Sequence, residues 1–197
     1  MSQTMSPSIE SFTGRYAALS PTFRSAFFFE GDSYLSAAAA FEAAKIAKRA
    51  DRVSFTGWNC DKPWMARTMG KRIPAAWIRK DWAQVEDLVM LEIQRSKFSW
   101  PDLRKVLLAT SDCPIIYGNT HHDNRWGQCL CRTSPPAKLK CGVGHSCTGS
   151  GQNKLGEILM RIRQEMQTAI DSPDPALARA SISVDYLAAR LTGREVA

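Results

Sequence analysis

Residues 80–98 read KDWAQVEDLVMLEIQRSKF, and their periodicity decides the fold class. Trp82, Val85, Val89, Ile93 and Phe98 recur at close to helical spacing, and Leu88 and Met90 widen the apolar face. Upstream, residues 36–49 are predicted as a helix from a serine start signal followed by Ala, Phe, Glu and Lys. Residues 63–71 form a second, with Pro63 suited to a first turn. Downstream, residues 102–109 read as one more. Residues 152–170 carry the apolar stripe Leu155, Ile158, Leu159, Ile162 and Met166. The run Ser172-Pro173-Asp174-Pro175 breaks that helix, and 176–190 has the pattern of a last amphipathic one. Residues 11–30 mix aromatic and β-branched side chains with Gly14, Ser20 and Pro21, which suggests short strands or loops. Residues 110–150 are dense in Gly, Pro, Cys and Ser and read as irregular. There is no internal repeat. The expectation is a mainly α, single multihelical domain with short irregular β segments near its N-terminus, a flexible leader over 1–10 and a helical C-terminal extension over 171–197.

The 197 residues suffice for one domain with a substantial core. Apolar residues make up 44% and charged residues 23%, a globular rather than disordered balance. No apolar run approaches the ~20 residues of a membrane span, and the N-terminus lacks the pattern of a secretion signal. A cytoplasmic protein with no membrane partner is therefore expected. The 26 basic and 19 acidic residues leave a net charge of +7. Basic residues cluster at Lys45, Lys48, Arg49 and Arg52, and again at Arg67, Lys71, Arg72, Arg79 and Lys80. A field of that sign favours nucleic acid or phosphate-bearing small molecules, and it reads equally as a solvated surface.

Four of the six cysteines, Cys129, Cys131, Cys141 and Cys147, fall close together with His145 between the last two. The spacing C-x-C-x9-C-x3-H-x-C supplies thiolate and imidazole ligands for a structural zinc, or else forms a loop of reduced thiols. A disulfide framework does not suit a reducing cytosol. His121 and His122 read as polar surface, and Cys60 and Cys113 as core or boundary residues.

Five segments in order resemble the YbiA-like, or NADAR, family. Phe12-Thr13-Gly14-Arg15-Tyr16-Ala17-Ala18-Leu19-Ser20 is similar to its opening "F-x-G-x-Y-x-x-L-S-N-F". Residues 34–45 resemble its "W/Y-P-S/T-x-E-H-A-F-Q-A-x-K" helix. Arg79-Lys80-Asp81-Trp82, Val89-Met90 and Lys97-Phe98 resemble "R-x-D-W … V-M … K-F". Asp123-Asn124-Arg125-Trp126-Gly127 resembles "D-x-x-W-G", and residues 152–163 resemble "G-x-N-x-L-G-x-x-L-M-x-x-R". The resemblance spans 12–163 and implies a largely helical fold and hydrolysis of N-glycosidic bonds. Its implied substrates are ADP-ribosylated guanine, as a nucleotide or in DNA, or early riboflavin-pathway intermediates. It implies no cofactor for catalysis. Residues 128–150 exceed the family's usual length and read as a Cys-rich insertion, either a zinc-braced lid or a nucleic-acid contact through Lys138 and Lys140. The opening also departs from the family, with Pro21 at the position of its Asn.

Breaking an N-glycosidic bond builds positive charge at the anomeric carbon, so a site needs a carboxylate to stabilise it or to activate water. A lysine amine can also attack an opened sugar aldehyde. Positions 38, 42 and 45 share one helix face. The resemblance places a catalytic glutamate and lysine at 38 and 45. Lys45 is present, but position 38 is alanine. Three explanations compete: the carboxylate has moved one turn along to Glu42; catalysis is lost and binding of ADP-ribose or an NAD-like nucleotide is kept; or Ala38 is an introduced Glu-to-Ala change. The alanine run within a kept motif favours the last. Without the resemblance, Glu42 and Lys45 read as a surface i,i+3 ion pair.

Trp82 reads as an aromatic wall for a stacked base or as core packing. The resemblance gives Asp123 a role in orienting ribose hydroxyls or in acid–base chemistry, whereas alone it reads as a turn residue. Trp126 and Gly127 are expected to shape the pocket floor, Gly127 by allowing close backbone approach. Asn153 reads as a helix cap or a substrate contact, capping being the simpler reading. Arg15 and Arg79 are the candidates to fork around a diphosphate.

Overall fold

The computed structural model describes residues 7–62, 64–120, 123–130 and 151–171. A 3-10 turn, Gly14–Leu19, leads into a hairpin of β1 (Phe27–Phe29) and β2 (Asp32–Tyr34), paired antiparallel as Phe27↔Tyr34 and Phe29↔Asp32. Its two-residue loop, Glu30 and Gly31, has φ of 48° and 78°. Two left-handed residues form the turn whose twist suits a tight hairpin. Alternation buries Phe27, Phe29 and Tyr34 and leaves Phe28 outside.

The first helix, α1 (Ala37–Ala44), starts where expected, since Ser36 Oγ accepts the Ala39 amide at 3.1 Å. It stops earlier than the sequence suggests. Ile46 leaves to bridge Ile78, and a 3-10 turn, Arg49–Phe55, follows. Helix propensity loses there to a tertiary anchor. Buried Arg52 donates from Nε to the Ile46 carbonyl at 2.9 Å and pairs with Glu30 of the hairpin.

The remaining elements are α2 (Met65–Gly70), α3 (Trp82–Phe98), α4 (Pro101–Leu108) and α5 (Lys154–Asp171), with a two-residue parallel pair, β3 (Gly118–Asn119) and β4 (Gln128–Cys129), before α5. The fold is mainly α. Helix α3 is its axis, touching β1, α1, α4 and α5. Its first half keeps one apolar face, but from Val89 to Phe98 it is wrapped almost completely, with Glu92, Gln94, Ser96 and Lys97 buried beside Ile93 and Phe98. Leu88, expected to widen the apolar face, is instead exposed. In α5 the stripe Leu155, Leu159, Ile162 and Met166 is buried as its spacing predicts. Among the described residues no helix is long and apolar enough to cross a membrane.

The last predicted helix (176–190), Lys138 and Lys140, and four proposed zinc ligands (Cys131, Cys141, His145 and Cys147) lie outside the described residues, as do His121, His122 and Pro63. The fifth proposed ligand, Cys129, is buried in β4.

Lys97 is fully buried, with its Nζ donating to the Ser20 carbonyl at 2.8 Å and lying 5.1 Å from the Phe98 ring. Burial pushes its pKa from 10.5 down to about 7. Between those two values the unfolded chain holds the lysine proton and the folded chain does not. Stability therefore rises with pH from 7 towards 10, and the full burial penalty persists below 7. Lys97→Met is expected to flatten that rise by on the order of 2–4 kcal/mol. Urea unfolding of both chains at pH 6, 8 and 9.5 measures it. Parallel pH profiles in the two chains contradict the assignment.

Candidate active site

Helix α1 presents Ala38, Glu42 and Lys45 on one face. Ala38 is half-buried, and its amide donates to the Pro21 carbonyl at 2.8 Å. Lys45 Nζ lies 2.6 Å from Glu42 Oε2, and the two side chains are only 23% and 15% exposed. The pair is therefore not the solvated surface pair that its spacing alone suggests. Burial pushes the Glu42 carboxyl above its ordinary pKa, against the opposing charges of Lys45 and, more weakly, Arg67.

Aromatic rings surround the pair. Phe41 meets Trp82 edge-on at 5.0 Å and Trp126 at 5.2 Å with an 82° interplanar angle. Lys45 Nζ stands 5.3 Å from the Phe41 ring and 6.0 Å from the Trp82 ring, within cation–π range. Trp82 opens α3 and Trp126 ends a turn, so two distant segments converge on Phe41 of α1.

That turn is built from side chains. Asp123 Oδ1 accepts the Trp126 amide at 2.9 Å, while Asn119 Oδ1 accepts the Asp123 amide at 3.0 Å. At Gly127 a Cβ would overlap the Tyr117 carbonyl and lie 2.9 Å from Asn119 Nδ2, so glycine brings the turn against the chain at 117–119. Arg125 then reaches Glu86 at 2.7 Å and Asp87 at 2.8 Å, and Lys154 pairs with Asp87. The turn and the start of α5 are thus tied to α3. Asn153, left-handed at φ 51°, accepts the Tyr117 amide on Oδ1 and donates from Nδ2 to the Ile115 carbonyl, each at 2.9 Å. That tie, rather than a side-chain cap on α5, is what the Asn153 amide makes within the chain.

The expected diphosphate contacts are placed differently. Arg79 donates its backbone N–H to the Lys45 carbonyl at 2.9 Å, but its guanidinium forks onto Asp81 at 2.7 and 2.8 Å. Arg15 is exposed and stacks over Tyr16 at 4.6 Å, and among the described residues no contact joins it to the Glu42–Lys45 pair.

Two further residues belong to the site, Phe41 and Gly70, and the charge of Arg67 acts on Glu42 and on Tyr117 from outside it. At Gly70 a Cβ would overlap Glu42 Oε2 and Cδ and lie 2.9 Å from Cγ, so the backbone of α2 lies directly against the carboxylate. Burial and then the charge of Asp123 push the Tyr117 hydroxyl above its ordinary pKa, opposed by Arg67. In the sequence, Gly70 looks like an ordinary helix-ending glycine, and Arg67 is one basic residue among many. Neither carries a local signal of contact with position 42. The buried carboxylate, ammonium and aromatic walls can stabilise a developing cation, move a proton and hold a flat ring.

A model of the NADAR domain family matches residues 10–167. N-glycosidase YbiA of Escherichia coli strain K12 is 32% identical over 105 residues, covering 53% of this chain and 54% of that protein. N-glycosidase Npun_R5314 of Nostoc punctiforme is 30% identical over 109 residues, covering 55% and 58%. By sequence, the chain therefore spans about half the length of these curated relatives. The NMR structure of E. coli YbiA superposes with a TM-score of 0.63 at 26% identity, covering 87% of this chain and 89% of that one.

Gly70→Ala tests the contact between α2 and Glu42. An Ala in place of Gly in a helix ordinarily gains roughly 0.5–1 kcal/mol. Here the new methyl is expected to move the carboxylate away from α2 towards solvent. The Glu42 pKa should fall towards the ordinary value and the usual gain in stability should be absent. Carboxyl-carbon NMR titration measures the first, and an unchanged Glu42 titration contradicts the arrangement.

Proposed function

Since this chain belongs to the NADAR domain family, we propose that it is an N-glycosidase that hydrolyses the bond between the ribose of an ADP-ribosyl group and a guanine-type base, carried on a nucleotide or on DNA. The observation that carries this reading is the part-buried Glu42 carboxylate, 2.6 Å from Lys45, whose ammonium lies against Phe41 and Trp82, with Trp126 packed edge-on behind Phe41. The N-glycosidase names of YbiA and Npun_R5314 support the reaction class.

As the glycosidic bond lengthens, the sugar gains oxocarbenium character. A carboxylate held out of water stabilises that charge more strongly than a solvated one. Glu42 then takes the proton of the attacking water, and its raised pKa brings it closer to the working pH of a general base. Lys45 holds Glu42 in place through their 2.6 Å pair. Trp82 offers a face to the leaving base. Asp123, anchored through Oδ1, sets the turn that carries Trp126. In this reading Glu42 performs the carboxylate's role one helical turn after position 38.

Alanine at position 38 favours a second reading, a binder of ADP-ribose or a related nucleotide without turnover, and one experiment separates the two. The chain, its Glu42→Gln variant and its Ala38→Glu variant are incubated with an oligonucleotide bearing ADP-ribosylated guanine, and ADP-ribose release is followed. Release by the chain, reduced about 10²–10⁴-fold in Glu42→Gln, is the expected result. Release only by Ala38→Glu places the carboxylate's work at position 38 and leaves this chain a binder. No release by any of the three rejects this substrate and brings riboflavin-pathway intermediates forward.

A further inference from the structure

The outer side of α2 carries a row of groups that leads outward from its contact with Glu42. The helix packs inward through buried Ala66 and through Met69. A turn of roughly 100° per residue sets the order of side chains around its cylinder. Outward from the contact with Glu42 come Gly70, then Arg67, then Lys71 and Trp64. The last two continue α2 at its ends with right-handed helical backbone.

Arg67 and Lys71 are exposed, and among the described residues neither enters an ion pair. Trp64 is 63% exposed, and among the described residues its ring meets no other ring and no cation. Trp58 is more exposed, but the Arg24 guanidinium covers its ring at 4.7 Å. From Thr56 to Arg72 the chain has four basic residues (Lys62, Arg67, Lys71 and Arg72) against one acidic residue, Asp61. An open indole, two open cations and a local positive charge therefore lead away from Glu42 over roughly 9 Å of helix. That length is comparable with the reach of a nucleoside diphosphate from its base to its terminal phosphate.

We propose that Trp64, Arg67 and Lys71 form a nucleoside diphosphate subsite, with the base stacked on the Trp64 indole and the phosphates held by Arg67 and Lys71. The guanidinium engages phosphate oxygens as a fork and the ammonium as a point charge. The subsite gives the α2 face an anchoring role, since Arg67 and Lys71 are free of ion pairs among the described residues whereas Arg79 is forked onto Asp81. It rests on the N-glycosidase reading for what reaches Glu42, but binding itself requires no turnover.

Calorimetric titration of the chain with ADP and with adenosine tests it. ADP is expected to bind more tightly than adenosine. Trp64→Ala should weaken ADP about 5- to 100-fold, the range expected for one lost base stack. Arg67→Ala should weaken ADP while leaving adenosine unchanged, Arg67→Lys should recover part of the loss, and Trp58→Ala should change nothing. ADP affinity unaltered in both Trp64→Ala and Arg67→Ala overturns the subsite, as does an equal loss of adenosine in Arg67→Ala. Free ADP-ribose and an ADP-ribosylated oligonucleotide, run in parallel, distinguish a free from a polymer-borne source. An equal loss for both in Trp64→Ala shows that the nucleoside diphosphate moiety alone is read. ADP binding through Trp64 without release of ADP-ribose rejects the hydrolase reading and keeps the subsite. Release of ADP-ribose with ADP affinity undiminished in both variants does the reverse.

Discussion

A carboxylate stays out of water beside an ammonium only where a neighbouring backbone comes close enough to exclude solvent. In this protein Gly70 provides that approach: α2 lies on Glu42 because position 70 has no Cβ. From this one contact follow the burial of the pair, the raised pKa of Glu42 and the placement of Lys45 against Phe41 and Trp82. A side chain larger than hydrogen at position 70 would convert the pair into an ordinary solvated one, worth a few tenths of a kcal/mol.

The rest of the pocket is held by polar ties rather than by apolar packing alone. The 123–127 turn carries Trp126 to Phe41, and the indole is its one large apolar group. Its position is specified by Asp123 on the Trp126 amide, by Asn119 on the Asp123 amide and by the Arg125 ion pairs to Glu86 and Asp87. Lys154 and Asn153 extend the same scheme to the start of α5. Hydrogen bonds and ion pairs have preferred directions, so they set the register of a turn more sharply than hydrophobic contact does. The charges that look like a solvated surface in the sequence are, in this region, the fastening of the site.

The helical framework was legible from local pattern. The start of α1 at Ser36, the axis α3 and the buried stripe of α5 all follow from capping and from apolar spacing. The misses have non-local causes. Helix α1 ends near Lys45 because Arg52 and Ile78 hold Ile46 elsewhere. Leu88 is exposed because the full wrapping of α3 begins one residue later, at Val89. Arg79 and Arg15 read as phosphate ligands by charge and motif, and the structure shows their guanidinium groups forked onto Asp81 and stacked over Tyr16.

The sequence by itself determined the start of α1, the course of α3, the buried stripe of α5, and that Glu42, Lys45, Trp82, Asp123 and Trp126 fall in motifs that resemble a glycosidase family. Each of these depends on neighbours within a few turns of the same segment. Only the tertiary structure decided that Glu42 is largely withdrawn from solvent, that α2 lies against it at Gly70, and that Arg79 forks onto Asp81 while Arg67 enters no ion pair among the described residues. Desolvation depends on atoms brought from another helix, and no spacing along α1 records how near α2 will come.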